Sequence, residues 1–266
     1  MHCCIVGAGE MGTWLGATLA ATDDFDLAFA DTDPEAAERA ATAVGADTVA
    51  LDPADSTDRF DAVVLAVPMP VVADAVATQA PRAERALLDV SGVMAPALDA
   101  MREHAPDRER LSLHPMFSEA NAPGRIAAVA DASGPVTAAV RQALDAAGNE
   151  VFDTTATDHD ESMRTVQAKA HAAVLAFGLA GAPVDPRYHT DVSTALFDLV
   201  ENVTGGTAHV FGDIQTTFDG ATEVAAAAER IAETRGDPEA FAERYAEARR
   251  LVEGAGASDA PTEGDR

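Results

Sequence analysis

Apolar residues along this chain follow two rhythms. Up to about residue 155, short unbroken apolar runs alternate with stretches in which apolar positions recur at helical spacing; beyond it only the helical spacing remains. The runs of strand type are Met1–Val6 (MHCCIV), Phe25–Ala30, Thr48–Leu51, Phe60–Val67 (FDAVVLAV), Ala86–Val90, Arg110–Leu113, Ile126–Ala130 and Glu150–Phe152. The near-continuous run Phe60–Val67 is what a strand buried on both faces of a parallel sheet requires. Between the runs, Thr13–Thr22, Pro34–Val44, the stretch from Pro70 to about Gln79, Ala95–His104 and Pro135–Ala147 read as helices. Asp33 serves the second as N-cap and Gly45 closes it. Strand–helix alternation of this length predicts one parallel-dominated sheet with helices on both faces.

From Thr157 the strand signal stops. Asp158–Leu179 reads as one long helix with Met163, Val166, Val174, Leu175 and Phe177 spread around it, the pattern of a helix in the middle of a bundle. Gly181-Ala182-Pro183 ends it, and Asp191–Val203, Thr207–Thr216, Ala221–Thr234 and Asp237–Glu253 follow as further helices. Asp237-Pro238 supplies an N-cap and a first-turn proline to the last of them. The expected organisation is an α/β domain over residues 1–155, an all-α domain over 156–253, and a Gly-, Ala-, Asp- and Pro-containing tail over 254–266 that is expected to be disordered.

The first strand runs directly into Gly7-Ala8-Gly9-Glu10-Met11-Gly12, a G-x-G-x-x-G turn that opens a helix, and the second strand delivers Asp31 nineteen residues beyond the last glycine. Gly7 permits the tight turn, Gly9 lets backbone N–H groups approach a pyrophosphate, and Gly12 lets helix and strand pack closely. The pyrophosphate is expected at the positive end of the helix dipole, beside Glu10 and Met11. Asp31 is placed to accept hydrogen bonds from a ribose 2′-hydroxyl and would repel a 2′-phosphate, so NAD is favoured over NADP. The fold class is therefore α/β: a Rossmann-type doubly wound sheet followed by helices. In such a sheet the strand ends line the cofactor crevice, which assigns Val67 and Pro68 to the cofactor as well.

Charge changes the picture of the partners. Forty-five acidic residues face eighteen basic ones, a net charge of −27 with Lys169 the single lysine. Such a chain will not bind nucleic acid or an anionic membrane by general electrostatics. Scattered acids with almost no lysine resemble the composition of proteins from salt-loving organisms. Cys3 and Cys4 are adjacent on a strand and point to opposite faces, so they read as small core residues in a reducing compartment, with no disulfide and no metal cluster. No apolar run reaches the length of a membrane span and the N-terminus lacks a basic leader, so the protein is expected in the cytoplasm.

Chemistry can gather in three places. Ser91 and His114 follow the carboxyl ends of neighbouring strands, and the long helix carries His159, Met163, Gln167 and His171 at four-residue steps. His114 suits a general base, and Pro115 biases it towards an extended backbone. Position alone leaves it equally open to being a structural histidine; Ser91 could be an ordinary turn serine and His171 a buried histidine.

Leu113-His114-Pro115-Met116-Phe117 resembles the His-Pro-Met-Phe motif of prephenate dehydrogenases, and Asp89-Val90-Ser91-Gly92-Val93 resembles that family's Asp-Val-Ser-Ser-Val segment. Thr157-Asp158-His159-Asp160 with Met163, Gln167 and His171 resembles the start of its long dimerisation helix, and Gly212-Asp213-Ile214-Gln215 its Ala-Asp-Ile segment. The resemblance covers roughly the first 220 residues. It implies oxidative decarboxylation of prephenate to 4-hydroxyphenylpyruvate with NAD, on the route to tyrosine, by a homodimer joined through the helices. It further implies His114 as the base, Ser91 orienting His114 and the nicotinamide amide, and His171 with Gln167 holding substrate, while His159 has a lesser role such as helix capping. One departure stands out: the family's carboxylate-binding arginine corresponds to Asn202, which cannot make a bidentate ion pair. Arg187, Arg164 or a partner's arginine would then compensate, or the substrate is arogenate. The competing readings are a pyrroline-carboxylate or imine reductase of similar plan and a non-catalytic NAD-binding regulator.

Overall fold

The computed structural model describes residues 1–256, and the part of the expected tail from 257 to 266 lies outside the described residues. Eight strands form one sheet: β1 (His2–Val6), β2 (Asp26–Ala30), β3 (Asp47–Thr48), β4 (Phe60–Leu65), β5 (Ala83–Asp89), β6 (Glu109–Pro115), β7 (Arg125–Ala132) and β8 (Glu150–Asp153). Their order is β3-β2-β1-β4-β5-β6-β7-β8, and every pairing is parallel except β6 with β7. The chain runs outward from β1 to β3 and then returns to β4, so the order reverses at the β1–β4 junction. Ligands of open α/β sheets bind above such a reversal.

Helices α1 (Glu10–Ala20), α2 (Pro34–Val44), α3 (Val72–Gln79), α4 (Ala95–His104) and α5 (Pro135–Ala146) cover the two faces. Successive side chains of a strand point to opposite faces, so each central strand feeds two cores. Ile5, Val64, Leu88 and Leu111 meet Leu15 and Leu19 of α1 and Val140 and Leu144 of α5. Val6, Val63, Leu65 and Leu87 meet Val76 of α3 and Leu98 and Met101 of α4. Cys3 and Cys4 divide between these cores as expected, both free; burial holds the Cys3 thiol far above its ordinary pKa and pushes Cys4 up to about 12, which leaves both unreactive.

The helical half comprises α6 (Ala156–Met163), a π-helical segment (Arg164–Lys169), α7 (Ala170–Ala180), α8 (Asp191–Thr204), α9 (Ala208–Phe218), α10 (Gly220–Ala232) and α11 (Pro238–Gly256). The single helix expected over 158–179 is thus interrupted by a π turn, and the last helix continues three residues into the stretch expected as tail. A third core, built from Val72, Val93, Ala97, Met163, Ala168, Ile214 and Phe218, fastens these helices to α3 and α4. No helix among the described residues is long and apolar enough to cross a membrane.

Arg82 is fully buried, a feature the sequence pattern does not announce. Its guanidinium donates to the carbonyl of Ala50 and to Gln79 Oε1 and lies 5.0 Å from the Phe60 ring centroid, while the His2 ring packs on Phe60 at 4.6 Å. Phe60→Ala should therefore cost more than a cavity alone, because it uncovers a buried cation. Urea unfolding is expected to show a loss at or above about 3–5 kcal/mol, whereas a loss below about 1 kcal/mol would contradict this packing.

Candidate active site

The glycine turn sits at the reversal of the sheet. Gly7 has φ +104°, and a Cβ there would lie 2.2 Å from the carbonyl oxygen of Ala66, the residue that follows β4. A Cβ on Gly12 would lie 2.0 Å from the Gly7 carbonyl oxygen, so α1 can approach β1 only without a side chain. A Cβ on Gly9 would meet nothing within 4 Å, which marks the side on which the turn is open. Helix α1 starts at Glu10 rather than Thr13, with no side-chain cap at Gly9, and its first hydrogen bond to the turn runs from Thr13 N–H to Gly9. The N–H groups of Glu10, Met11 and Gly12 are consequently free to face an anion. An open cleft of about 260 Å³ beside them is lined by Ala8, Gly9, Glu10, Thr13, Ala36, Arg39, Ala40 and Glu119. This cradle fits the pyrophosphate of a dinucleotide.

Asp31 closes the far side of the turn. Its Oδ2 accepts from Ala8 N–H at 2.6 Å and its Oδ1 from Asp33 N–H at 2.8 Å, so the carboxylate is pinned to the glycine turn yet keeps capacity for further donors. Val67 and Pro68 follow β4 at the same end of the sheet, half-buried and exposed respectively. Glu10 is exposed and Met11 half-buried.

His114 lies inside β6, buried, paired with Ala127 of β7. Its Nδ1 is 2.8 Å from Nε2 of His159, the two rings meeting edge to face at 80°. His159 Nδ1 is in turn 2.7 Å from Asp160 Oδ1. Asp160 accepts two more hydrogen bonds, from the backbone N–H groups of Met94 and Ala95 at 3.0 Å each, where α4 begins. On its other side His114 Nε2 faces Gln167 Nε2 at 3.4 Å. Burial, then the neighbouring His159, pushes the His114 pKa down to about 3, with Asp160 opposing the shift; the imidazole is neutral at physiological pH. Burial raises the Asp160 pKa, but the bonds from His159, Met94 and Ala95 outweigh it and hold the carboxyl below its ordinary value.

Several expected roles are corrected here. Ser91 does not bond to His114: its hydroxyl lies 2.6 Å from Asp89 Oδ2 and 2.8 Å from the Val93 carbonyl, holding the turn after β5. His159, expected to cap a helix, is the residue that contacts His114, and the cap of α6 is Thr155. Gln167 and His171 do not form one grip on this conformation. Gln167 reaches His114, whereas the His171 ring meets Phe211 edge to face at 4.8 Å and its buried Nδ1 has no partner. Asn202 is exposed on α8 and makes no hydrogen bond to this cluster among the described residues. Arg187 is held by Asp185 through several contacts, but Arg164, three residues before Gln167 in the π segment, forms no ion pair among the described residues.

The π turn accounts for the placement of Gln167. A π turn leaves an α-type acceptor without its partner, and the Ala168 carbonyl receives Gln215 Nε2–H from α9 at 2.7 Å. Gly220, the first residue of α10, packs so closely that a Cβ there would lie 2.3 Å from the Ala168 carbonyl carbon. Asp89, a residue the sequence does not single out as functional, is fully buried at the end of β5, and its Oδ1 and the Ser112 hydroxyl opposite it both lack partners.

The family model of NADP oxidoreductases, coenzyme F420-dependent, matches residues 2–92. A 4-amino-4-deoxyprephenate dehydrogenase from Streptomyces pristinaespiralis is 36% identical over 212 residues, covering 72% of this chain and 70% of that protein. Among solved structures, prephenate dehydrogenase from A. aeolicus in complex with hydroxyphenyl propionate and NAD+ superimposes with a TM-score of 0.70 at 14% identity, over 96% of this chain and 98% of the other. Arogenate dehydrogenase from Synechocystis gives a TM-score of 0.59 at 16% identity, over 97% and 99% of the two chains. These structural likenesses extend the fold through the helical half.

Asp89 supplies a pH test. Burial raises its pKa from 3.8 to about 7, against the hydrogen bonds from Ser91. An acid whose native pKa lies above its unfolded value binds its proton more tightly when folded, so its contribution to stability is lost as pH rises from about 4 through about 7. Asp89→Asn removes that loss. In calorimetry its melting temperature relative to the native protein should climb between about pH 4 and about pH 7 and level off above that; a constant difference would mean that Asp89 is ionised in the fold throughout.

Proposed function

The chain belongs to the prephenate dehydrogenase family, and we propose that it catalyses the NAD-dependent oxidative decarboxylation of prephenate, with His114 as general base. The observation that carries this reading is a buried, neutral imidazole at the carboxyl end of β6, in the sheet whose β1–β4 junction bears the glycine cradle. The free N–H groups at the start of α1 and the Asp31 carboxylate would hold NAD, which when bound would supply the acceptor for the hydride lost from ring carbon C4. The Asp31 carboxylate favours ribose hydroxyls and opposes a 2′-phosphate.

His114 accepts the C4 hydroxyl proton as the C–H bond is lost, which turns C4 into a carbonyl. The bond between C1 and its carboxylate then breaks, carbon dioxide leaves, and the electron pair aromatises the ring. The resulting phenolate recovers the proton from His114, so no net proton is released and the product is 4-hydroxyphenylpyruvate. Burial keeps the imidazole neutral, so its lone pair is available to accept, and the nearby Asp160 carboxylate offsets part of the cost of charging it. Of the two candidate arginines in this chain, Arg164 is the one left without an ion pair among the described residues, Arg187 being committed to Asp185.

A second reading has two observations behind it. The relative from Streptomyces pristinaespiralis is named for 4-amino-4-deoxyprephenate, whose C4 carries nitrogen in place of oxygen. Gln167 Oε1 is buried without a partner beside His114, and a neutral amino group offers two N–H donors to these two acceptors where a hydroxyl offers one. Arogenate instead changes only the side chain, so the three substrates separate recognition at C4 from recognition at the far end.

A homodimer through the helical half completes the proposal. Twelve of the fifteen exposed large apolar residues among those described lie beyond residue 156, and none of the fourteen residues of α8 is buried.

NADH formation from NAD should be measured with prephenate, arogenate and 4-amino-4-deoxyprephenate. His114→Ala is expected to lower kcat about 10²–10⁴-fold on whichever substrate turns over, and no turnover of any of the three would reject the reading. Light scattering is expected to give twice the 27.4 kDa chain mass; a monomer mass would remove the dimer from the proposal.

A further inference from the structure

We infer that Asp160 and His159 are positioning residues that hold His114 as its Nδ1–H tautomer, making Nε2 the nitrogen that receives the substrate proton. The inference rests on His114 being the base and adds which of its atoms acts and what selects that atom.

An ionised carboxylate can only accept, and Asp160 already accepts from the N–H groups of Met94 and Ala95. The 2.7 Å contact from His159 Nδ1 to Asp160 Oδ1 therefore requires a proton on that nitrogen. With that proton as the only one on its ring, His159 presents a lone pair at Nε2. That lone pair lies 2.8 Å from His114 Nδ1, so His114 must donate from Nδ1 and its own lone pair must sit on Nε2. The Gln167 amide nitrogen, 3.4 Å from His114 Nε2, is a donor facing that lone pair, as this tautomer demands. Four atoms on α6 and β6 thus decide the state of a fifth.

The same chain restrains rotation and charge. His159 is itself buried, with Asp160 anchored to the start of α4, so the His114 ring cannot turn about its Cβ–Cγ bond without breaking a bond to a fixed neighbour. When His114 takes the substrate proton it becomes a cation. Asp160, reached through His159, is the nearest anion in this chain of contacts, and it favours that cation without any proton moving along the chain. Ser91, whose hydroxyl is engaged by Asp89 and Val93, takes no part in this orientation.

The test joins a spectroscopic and a kinetic measurement on the full-length protein. Long-range nitrogen–proton correlation spectra of nitrogen-labelled protein distinguish an N–H nitrogen from a lone-pair nitrogen, with the His114 signals assigned through the His114→Ala spectrum. The native protein is expected to show His114 protonated on Nδ1 and bare on Nε2. His159→Gln keeps the Asp160 cap on α4 but breaks the relay, and Asp160→Asn can donate its amide to His159 and so invert the tautomers along it. Both variants should stay folded by circular dichroism, lose about 10²-fold or more in kcat, and keep KM within about twofold. A proton on His114 Nε2 in the native protein, or an unchanged kcat in folded His159→Gln, would overturn the inference. If no substrate turns over, the reading of His114 as base fails, while the spectrum still decides the tautomer.

Discussion

A single half-buried carboxylate joins the two halves of this protein. Asp160 receives the backbone N–H groups that open α4 on the sheet side and the imidazole N–H of His159 on the helical side. Charge-assisted hydrogen bonds of this kind contribute about 1.5–3 kcal/mol each, and they are directional where apolar packing is not. The third core, where Val93 and Ala97 meet Met163, Ile214 and Phe218, supplies most of the adhesion between the halves. Apolar contact alone would tolerate sliding of one half over the other. The carboxylate sets the register, and with it the distance from the helices to His114.

The sheet imposes a second order on the site. Its central strands are apolar through most of their length, and their buried polar side chains are confined to β5 and β6: Asp89 and His114 towards the carboxyl ends, Ser112 opposite Asp89, with Ser91 in the turn that follows β5. Such groups in the middle of the strands would face packed helices on either side. At the strand ends they meet the turn after β5 and the start of α6, which is where partners and ligands can reach them. The unpartnered Asp89 and Ser112 atoms show that this accommodation is incomplete, and the raised Asp89 pKa is its electrostatic record.

Most of the sheet could be read from the chain because its strands are uninterrupted apolar runs, and α4 spans Ala95–His104 as its pattern predicts. The start of α1 is not legible in the sequence because the glycines of the motif depress helix propensity, although Met11 and Gly12 are helical in the fold. Within the site, the glycine turn and His114 were visible because each stands beside a strand end. The partnership of His114 with His159 was not, since the residues are forty-five positions apart and belong to different halves. Four-residue spacing along a regular helix suggested that Gln167 and His171 act together; the π turn between Arg164 and Lys169 invalidates that spacing. Arg82 was invisible for a different reason: its partners are carbonyl oxygens and an aromatic face, which leave no charge pattern in a sequence.

The π turn also separates two demands that a regular helix would have to meet with one phase. Residues before it must face β6 and α4, and residues after it must face α8 and α10. Each residue of an α-helix advances by a fixed angle of about 100°, so the two contact faces of an unbroken helix are geared together. The wider turn works as a differential, letting the forward face stay locked to the imidazole while the rear face takes the angle its own packing needs. A change of angle in the rear helices can therefore be taken up at Arg164–Lys169 before it reaches His159, with Gln167, inside the turn, the one contact of His114 that feels it first.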